Sequence, residues 1–302
     1  MSSSGREGKI IKQLTWNSRQ KDTIIALLFL VPSLAGFTIF YLLPFGAGFV
    51  YSLMDSPTQG SFVGLDNYRQ LLQSASFRQA AINTGMFALI SVPLVMTISL
   101  AVSIMLNRVL PFRSWLRAAY VMPLVVPVAS IVLVWQLLFD RSGAVNALLS
   151  AWGISATDWM NLSWARVVVL LVFLWKTIGY NMILFLAGLQ NIPKEYYEAA
   201  SLDGAGAWRK FFSITLVCLT PTSFFVLIMS IISSFKIFRE TYLIAGDYPH
   251  ESIYFLQHYM NNMFQALDYQ KLTAASFLMA AVISVVVMIL FGFERKFHNN
   301  TK

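Results

Sequence analysis

Six long apolar runs, at roughly residues 24–50, 82–106, 115–139, 165–189, 213–237 and 272–292, constrain this chain more than anything else in it. Each is close to the ~20 residues an α-helix needs to cross the hydrocarbon core of a bilayer. Lipid offers no partner to an open backbone amide, so a single run lying in it must close its hydrogen bonds internally as a helix. The sequence therefore predicts an all-α integral membrane protein with six transmembrane helices. Pro32, Pro44, Pro93, Pro123, Pro127 and Pro221 fall inside these runs or at their ends. Neighbouring helices tolerate such kinks, whereas an isolated soluble helix loses about 3 kcal/mol at each.

Charge supports this reading and adds a direction. Hydrophobic residues make up 57% of the 302 positions and charged ones 12%, about half the charge of an ordinary globular domain and too little to cover a water-facing surface. A formal net charge of +8 would point to nucleic acid in a soluble chain. Here the cations are placed by side of the membrane instead, and no nucleic-acid partner is expected. Arg6, Lys9, Lys12, Arg19 and Lys21 precede the first run; Arg108, Arg113 and Arg117 follow the second; Lys194, Arg209 and Lys210 follow the fourth; Arg295, Lys296 and Lys302 follow the sixth. The alternate loops carry fewer cations and most of the acids, among them Asp55, Asp158, Glu240, Asp247 and Glu251. The positive-inside rule then places both termini in the cytoplasm. The first run is far longer than the ~7–15-residue core of a signal peptide and ends in no small-x-small cleavage site, so it reads as a retained span. The organisation expected is a cytoplasmic segment 1–22, a six-helix domain 23–293 and a cytoplasmic tail 294–302. The single cysteine, Cys218, cannot form an intrachain disulfide and reads as a small buried hydrophobe.

One connection differs from the rest. The segment from Gln190 to Pro221 reads QNIPKEYYEAASLDGAGAWRKFFSITLVCLTP, which fits two short helices joined by a turn. Asn191 is placed to cap the first and Pro193 to open it, with Glu195 and Glu198 near the positive end of its dipole. Gly204 and Gly206 break it, and Asp203 is placed to cap a second helix over 205–211. Ala199 and Ala200 beside Tyr196 and Leu202 would leave a compact knob on the cytoplasmic side. Either a knob of this kind docks in a socket, or it is a solvated hairpin that simply joins two spans.

These residues carry a resemblance. Glu198, Ala199, Ala200, Asp203, Gly204, Ala205, Phe211, Ile214, Leu216 and Pro221 resemble the EAA signature of permease subunits in binding-protein-dependent ABC importers. LFLVPSLAGFTIFYLLPF with FVGLDNY, and FRSWLRAAYVMPLVVP, resemble the sugar-transporting branch of that family, of the maltose and glycerol-phosphate permease type. The resemblance implies that loop 190–212 holds a cytoplasmic coupling helix, with Glu195, Glu198, Ala199, Ala200, Asp203, Gly204 and Ala205 meeting a separate ATPase that binds ATP and Mg. It implies a bacterial inner-membrane complex of two permease subunits, two ATPase copies and an extracytoplasmic binding protein that delivers a sugar. A polyamine or glycerol phosphate is the alternative cargo. The sequence departs from the family at Val217, where a proline is usual, and at Ala245 to Pro249, which replace T-x-GGP.

Polar residues inside the spans are the candidate pathway. Lys176 lies near mid-span in LVFLWKTIGYNMILFLAGL, where exposure to lipid costs about 2.5–3.5 kcal/mol. It shares a helical stripe with Tyr180, while Thr177 and Asn181 share the adjoining one. Ser230 and Ser234 stack similarly in the fifth span. By the resemblance, Lys176, Tyr180, Asn181, Ser230 and Ser234 line the substrate path; alternatively the hydroxyls glue helices together, and Lys176 pairs with a carboxylate of a partner subunit, since the sequence shows no acid at mid-membrane. No G-x-x-x-x-G-K-[ST] loop is present, so nucleotide must be hydrolysed by another chain. The three histidines, His250, His258 and His298, lack ligand spacing, so neither a metal nor a cofactor is expected on this chain. No intramembrane catalytic pair is visible, which disfavours an enzyme, and an ion-driven secondary transporter would be expected to show repeated halves and intramembrane acids.

Overall fold

The computed structural model of the protein describes residues 18–56, 60–108 and 111–300. The basic residues Arg6, Lys9, Lys12 and Lys302 lie outside them. Among the described residues the regular structure is helical, apart from one isolated antiparallel bridge between Met54 and Phe62. Six helical stretches among the described residues are long and apolar enough to cross a membrane. The chain divides into two units, residues 1–51 and 52–302.

The first unit is one hydrophobic stretch built from α1 (Ser18–Phe37) and α2 (Leu43–Ser52), joined by a wider π-type turn over Thr38–Leu42. The Leu43 amide reaches back to the Thr38 carbonyl across that turn. The widening falls just before Pro44, whose ring crowds the carbonyl four residues behind it.

The second unit begins with α3 (Asp66–Gln73) and α4 (Ala75–Asn107), a 33-residue helix that Ser74 caps by accepting from the Phe77 amide at 3.4 Å. The second crossing therefore starts seven residues before the expected 82. The third apolar run is two helices, α5 (Arg113–Val125) and α6 (Val128–Phe139). Pro127 breaks it, forcing Val126 into extended backbone. The stretch long and apolar enough to cross here is Val128–Ala151, about a dozen residues later than the expected 115–139, while α5 packs beside the fourth crossing. Val121 packs near Met182 and Leu186, Trp135 meets Trp175 edge-on, and Phe139 meets Trp159. After the short α7 (Ala144–Ala151) comes α8 (Ala165–Gln190), the fourth crossing.

Helix α8 is the hub, with half of its apolar window buried. Lipid tails are as apolar as leucine, so close packing rather than water exclusion must hold helices here. Ser91, Ser99 and Ser103, all fully buried, give α4 a face small enough for that approach, and the Ser99 hydroxyl reaches the Ile178 carbonyl at 3.3 Å. Phe87 meets Phe173 edge-on at 5.4 Å and Phe255 at 5.3 Å, at the centre of the main core. Gly179 admits α5, because a β-carbon there would collide with the Tyr120 carbonyl.

Next come α9 (Lys194–Leu202), α10 (Ala207–Lys210), a π-type turn over Phe211–Thr215 and α11 (Leu216–Cys218). The fifth crossing then runs through α12 (Thr220–Phe235) and α13 (Phe238–Ala245), about seven residues later than expected at each end. Pro221 sits in the first turn of α12, where a missing amide costs nothing, so the helix starts there. Cys218 is exposed rather than buried, because it precedes that start on the short α11. A single 3₁₀ turn (Glu251–Ile253), α14 (Leu256–Gln265) and α15 (Tyr269–Asn300) complete the unit.

Candidate functional site: a helical knob and an intramembrane charge pair

The knob is built as a closed motif. At the end of α9, Gly204 has φ +74, the Gly204 amide donates to the Ser201 carbonyl at 3.1 Å, and the Ala205 amide donates to the Ala200 carbonyl at 2.9 Å. This crossed pair of bonds with a left-handed glycine satisfies the carbonyls that a helix end leaves open. Glu195 lies in the first turn, where the dipole favours it. Two of the expected caps are placed differently. Asn191 ends α8, and Pro193 occupies the cap position of α9; Asp203 ends α9, and Gly206 precedes α10 without a side-chain cap. In both places the tighter turn moves the boundary by two or three residues.

Side chains tie the knob to the spans. The Tyr197 and Thr215 hydroxyls lie 2.9 Å apart, Lys210 Nζ donates to Ser201 Oγ at 2.6 Å, and Ile192 packs with Leu189 and Leu219. The outer surface of the knob is left open. Glu195, Glu198, Ala199, Asp203 and Gly204 are exposed, Ala200 and Ala205 half-buried. Beside them Leu202 is 90% and Trp208 76% exposed, with Trp208 stacked on Phe212.

The intramembrane candidates separate into two groups. Asn181 and Ser230 are fully buried against each other, the amide donating to the hydroxyl at 2.8 Å, and Ser234 turns its hydroxyl back to the Ile231 carbonyl at 2.7 Å. The Asn181–Ser230 bond holds α8 against α12, whereas the Ser234 bond stays within α12. Asn181 Oδ1 is buried with no partner. Lys176 and Tyr180 occupy the neighbouring stripe and are half-buried.

Lys176 does not wait for a partner subunit. Its ammonium pairs with Glu240 on α13, a residue 2% exposed that the apolar pattern assigns to a loop. The fifth crossing extends to Ala245, which brings this acid into the membrane-spanning stretch. A further polar contact, also missed in the sequence, fixes α13. Gln136 on α6 donates through Nε2 to the carbonyls of Leu243 and Ile244, at 3.1 and 3.2 Å. The signal for Glu240 was the i, i+4 spacing of Phe238 and Tyr242, whose rings meet on one face of α13 and carry the helix past Arg239.

The segment after α13 is stitched onto the N-terminal ends of α4 and α8. Asn83 donates to the Glu251 carbonyl at 2.6 Å and the Tyr254 carbonyl at 3.0 Å, Thr84 accepts from the Leu256 amide at 2.9 Å, and Arg166 Nε donates to the Ser252 carbonyl at 3.0 Å. Asp247, in the divergent Ala245–Pro249 stretch, accepts from Asn261 at 3.3 Å and Gln265 at 2.8 Å. Among the described residues no three His, Cys, Asp or Glu side chains gather as a metal site. His250 and His258 instead serve the 3₁₀ turn and the start of α14.

Comparison with known proteins places this architecture. Residues 94–300 match the family model described as binding-protein-dependent transport system inner membrane component. The arabinooligosaccharides transport system permease protein AraP of Bacillus subtilis (strain 168) is 34% identical over 72% of this chain and 71% of its own. The sn-glycerol-3-phosphate transport system permease protein UgpA of Yersinia pestis is 32% identical over 89% and 94%. A crystal structure of a bacterial ABC transporter involved in import of the acidic polysaccharide alginate superposes with a TM-score of 0.80, at 24% identity, over 91% of this chain and 96% of that one. A match over most of the chain, together with relatives this similar, shows that the protein belongs to the inner-membrane permease components of binding-protein-dependent ABC transport systems.

Proposed function

We propose that this chain is one half of the translocation pathway of an ATP-driven importer for a carbohydrate. The observation that carries the proposal is the closed, exposed knob of α9 and α10 sitting at the end of the hub helix that also bears Lys176. A docking surface rigidly continuous with a buried charge pair can transmit force to it, which a solvated connecting hairpin need not do. The cargo is inferred from relatives, whose names specify arabinooligosaccharides, trehalose and maltose, and glycerol 3-phosphate.

In this reading both termini and the knob face the cytoplasm, following the basic loops. Glu195, Glu198, Ala199, Ala200, Asp203, Gly204 and Ala205 dock on a separate ATPase, which binds ATP and Mg, and two copies of it serve two permease subunits. Closure of the ATPases moves the two knobs together and turns a central cavity from the outer side to the inner. A binding protein delivers the sugar on the opposite face, where the 246–268 segment lies. Lys176 and Tyr180, half-buried, are the side chains of this chain best placed to meet the cargo, while Asn181 and Ser230 keep α8 and α12 in register and Ser234 lies one turn further along α12.

Reconstitution tests the proposal. Proteoliposomes holding the assembled importer should take up sugar only with ATP inside and binding protein outside. Uptake that continues without the ATPase would overturn the reading. Glu198→Lys should leave membrane insertion intact while abolishing both uptake and co-purification of the ATPase, and retained co-purification would remove the docking role.

A further inference from the structure

A groove of about 440 Å³ opens between the N-terminal halves of α4 and α8, roofed by the 3₁₀ turn and the start of α14. Its lining is graded. Gln79, Asn83, Arg166 and Ser252 lie at one end, and Met86, Ile90 and Leu170 continue from them along the two helices. From Gln79 to Ile90 the wall extends about 16 Å down a helix at 1.5 Å per residue. Trp159 and Trp164, in edge contact just before α8 begins, are the kind of aromatic pair that settles at headgroup level. The polar end is thus at the membrane boundary and the apolar end in the hydrocarbon.

Arg166 gives the groove its chemistry. Its Nε is committed to the Ser252 carbonyl, which sets the plane of the guanidinium and leaves the two terminal nitrogens for another acceptor. Among the described residues neither ion pair includes it. The Asn83 amide is spent on Glu251 and Tyr254, and its oxygen accepts from Gln79 at 3.3 Å, so Arg166 is the charged donor left over, with one N–H of Gln79 beside it. A guanidinium held flat matches a phosphate with two parallel bonds. Below it the exposed wall of Ile82, Met86 and Ile90 suits a hydrocarbon chain. The volume is too small for a helix, which is about 10–12 Å across with its side chains.

We infer that this groove binds one anionic glycerophospholipid, its phosphate on Arg166 and one acyl chain along Met86, Ile90 and Leu170. The inference needs only that the chain crosses a membrane and is independent of cargo and orientation. A lipid bound there braces α4, α8 and the 3₁₀ turn together, three elements otherwise joined at this edge by the bonds of Asn83 and Arg166.

Native mass spectrometry of the purified importer tests it, with dioleoylphosphatidylglycerol and dioleoylphosphatidylcholine offered in equal amounts. One phosphatidylglycerol should be retained in preference. Arg166→Gln should weaken its retention about tenfold, the value of one charge-assisted bond. Ile90→Trp, which fills the apolar end and leaves the Arg166–Ser252 bond in place, should exclude the lipid in the same assembled complex. Should Arg166→Gln fail to assemble, Ile90→Trp decides alone. Equal retention by wild type and Ile90→Trp would overturn the inference. So would displacement of the lipid by glycerophosphoglycerol, which has the headgroup and no chains, or capture of another subunit by a cross-linker attached at Met86→Cys.

Discussion

Lys176 and Glu240, 64 residues apart in the chain, form an ion pair that joins the fourth crossing to the end of the fifth. The carboxylate is almost fully buried and the ammonium about one third exposed. Removing one partner leaves a charge without compensation in a low-dielectric setting, which costs more than the pair itself contributes. Glu240→Gln or Lys176→Met alone should therefore lower thermal stability in detergent, near the lower end of ~3–5 kcal/mol because Lys176 keeps some access to solvent. The double variant Lys176→Met/Glu240→Leu should recover most of that loss. A double variant as unstable as the sum of the singles would show that the two groups do not interact.

The same pair bears on transport. If Lys176 meets the cargo, Lys176→Met in the assembled complex should leave basal ATP hydrolysis unchanged and alter its stimulation by loaded binding protein. Unchanged stimulation would confine Lys176 to holding α13.

Gly179 lets the backbone of α5 lie close against α8. Gly179→Ala has no room for its methyl beside the Tyr120 carbonyl, so the helices must separate and lose packing contacts along their length. The loss should be about 1–3 kcal/mol. By contrast Gly36→Ala, where a β-carbon would meet nothing within 4 Å, should be neutral or slightly stabilising. Equal melting temperatures for the two variants would contradict the close approach.

Gly204 closes the knob in the left-handed region. Gly204→Ala should strain it by about 1 kcal/mol, and Gly204→Asn, which tolerates that conformation better, by less. Protease sensitivity of the 190–212 loop should follow the same order, and a reversed order would show that the motif does not depend on the glycine.

His258 is fully buried with its ring edge-on to Phe238, and Nε2 has no partner. Burial lowers its pKa to about 4, with Asp247 pulling weakly the other way. The unfolded chain would protonate this ring near 6.5, so between these values the unfolded state binds more protons. Stability of α14 should be complete above pH 6.5, fall by up to roughly 3 kcal/mol as pH drops towards 4, and change no further below that. Amide exchange in 256–265 measures it, and His258→Phe should flatten the dependence.

Much of this could be read from residues alone, for a physical reason. Lipid forces every crossing to be helical and apolar, so six runs are visible without knowledge of their neighbours. The knob was legible because its signals are local: a glycine that must take positive φ, acids at a helix start, small residues in a row. The helix ends were less so. A continuous apolar run conceals the break at Pro127 and the late start of α12 at Thr220, since either side of the boundary is equally soluble in lipid.

The sequence by itself determined the solvent, the number of crossings and the existence of a folded projection between the fourth and fifth, because each depends on composition or on neighbours within one or two turns. Only the tertiary structure decided that Glu240 enters the membrane stretch to meet Lys176, that Asn181 turns to Ser230, and that Arg166 is left facing a groove. Those outcomes depend on which helix faces lie against one another, and that is set by the fit of small residues such as Ser99 and Gly179 against distant partners.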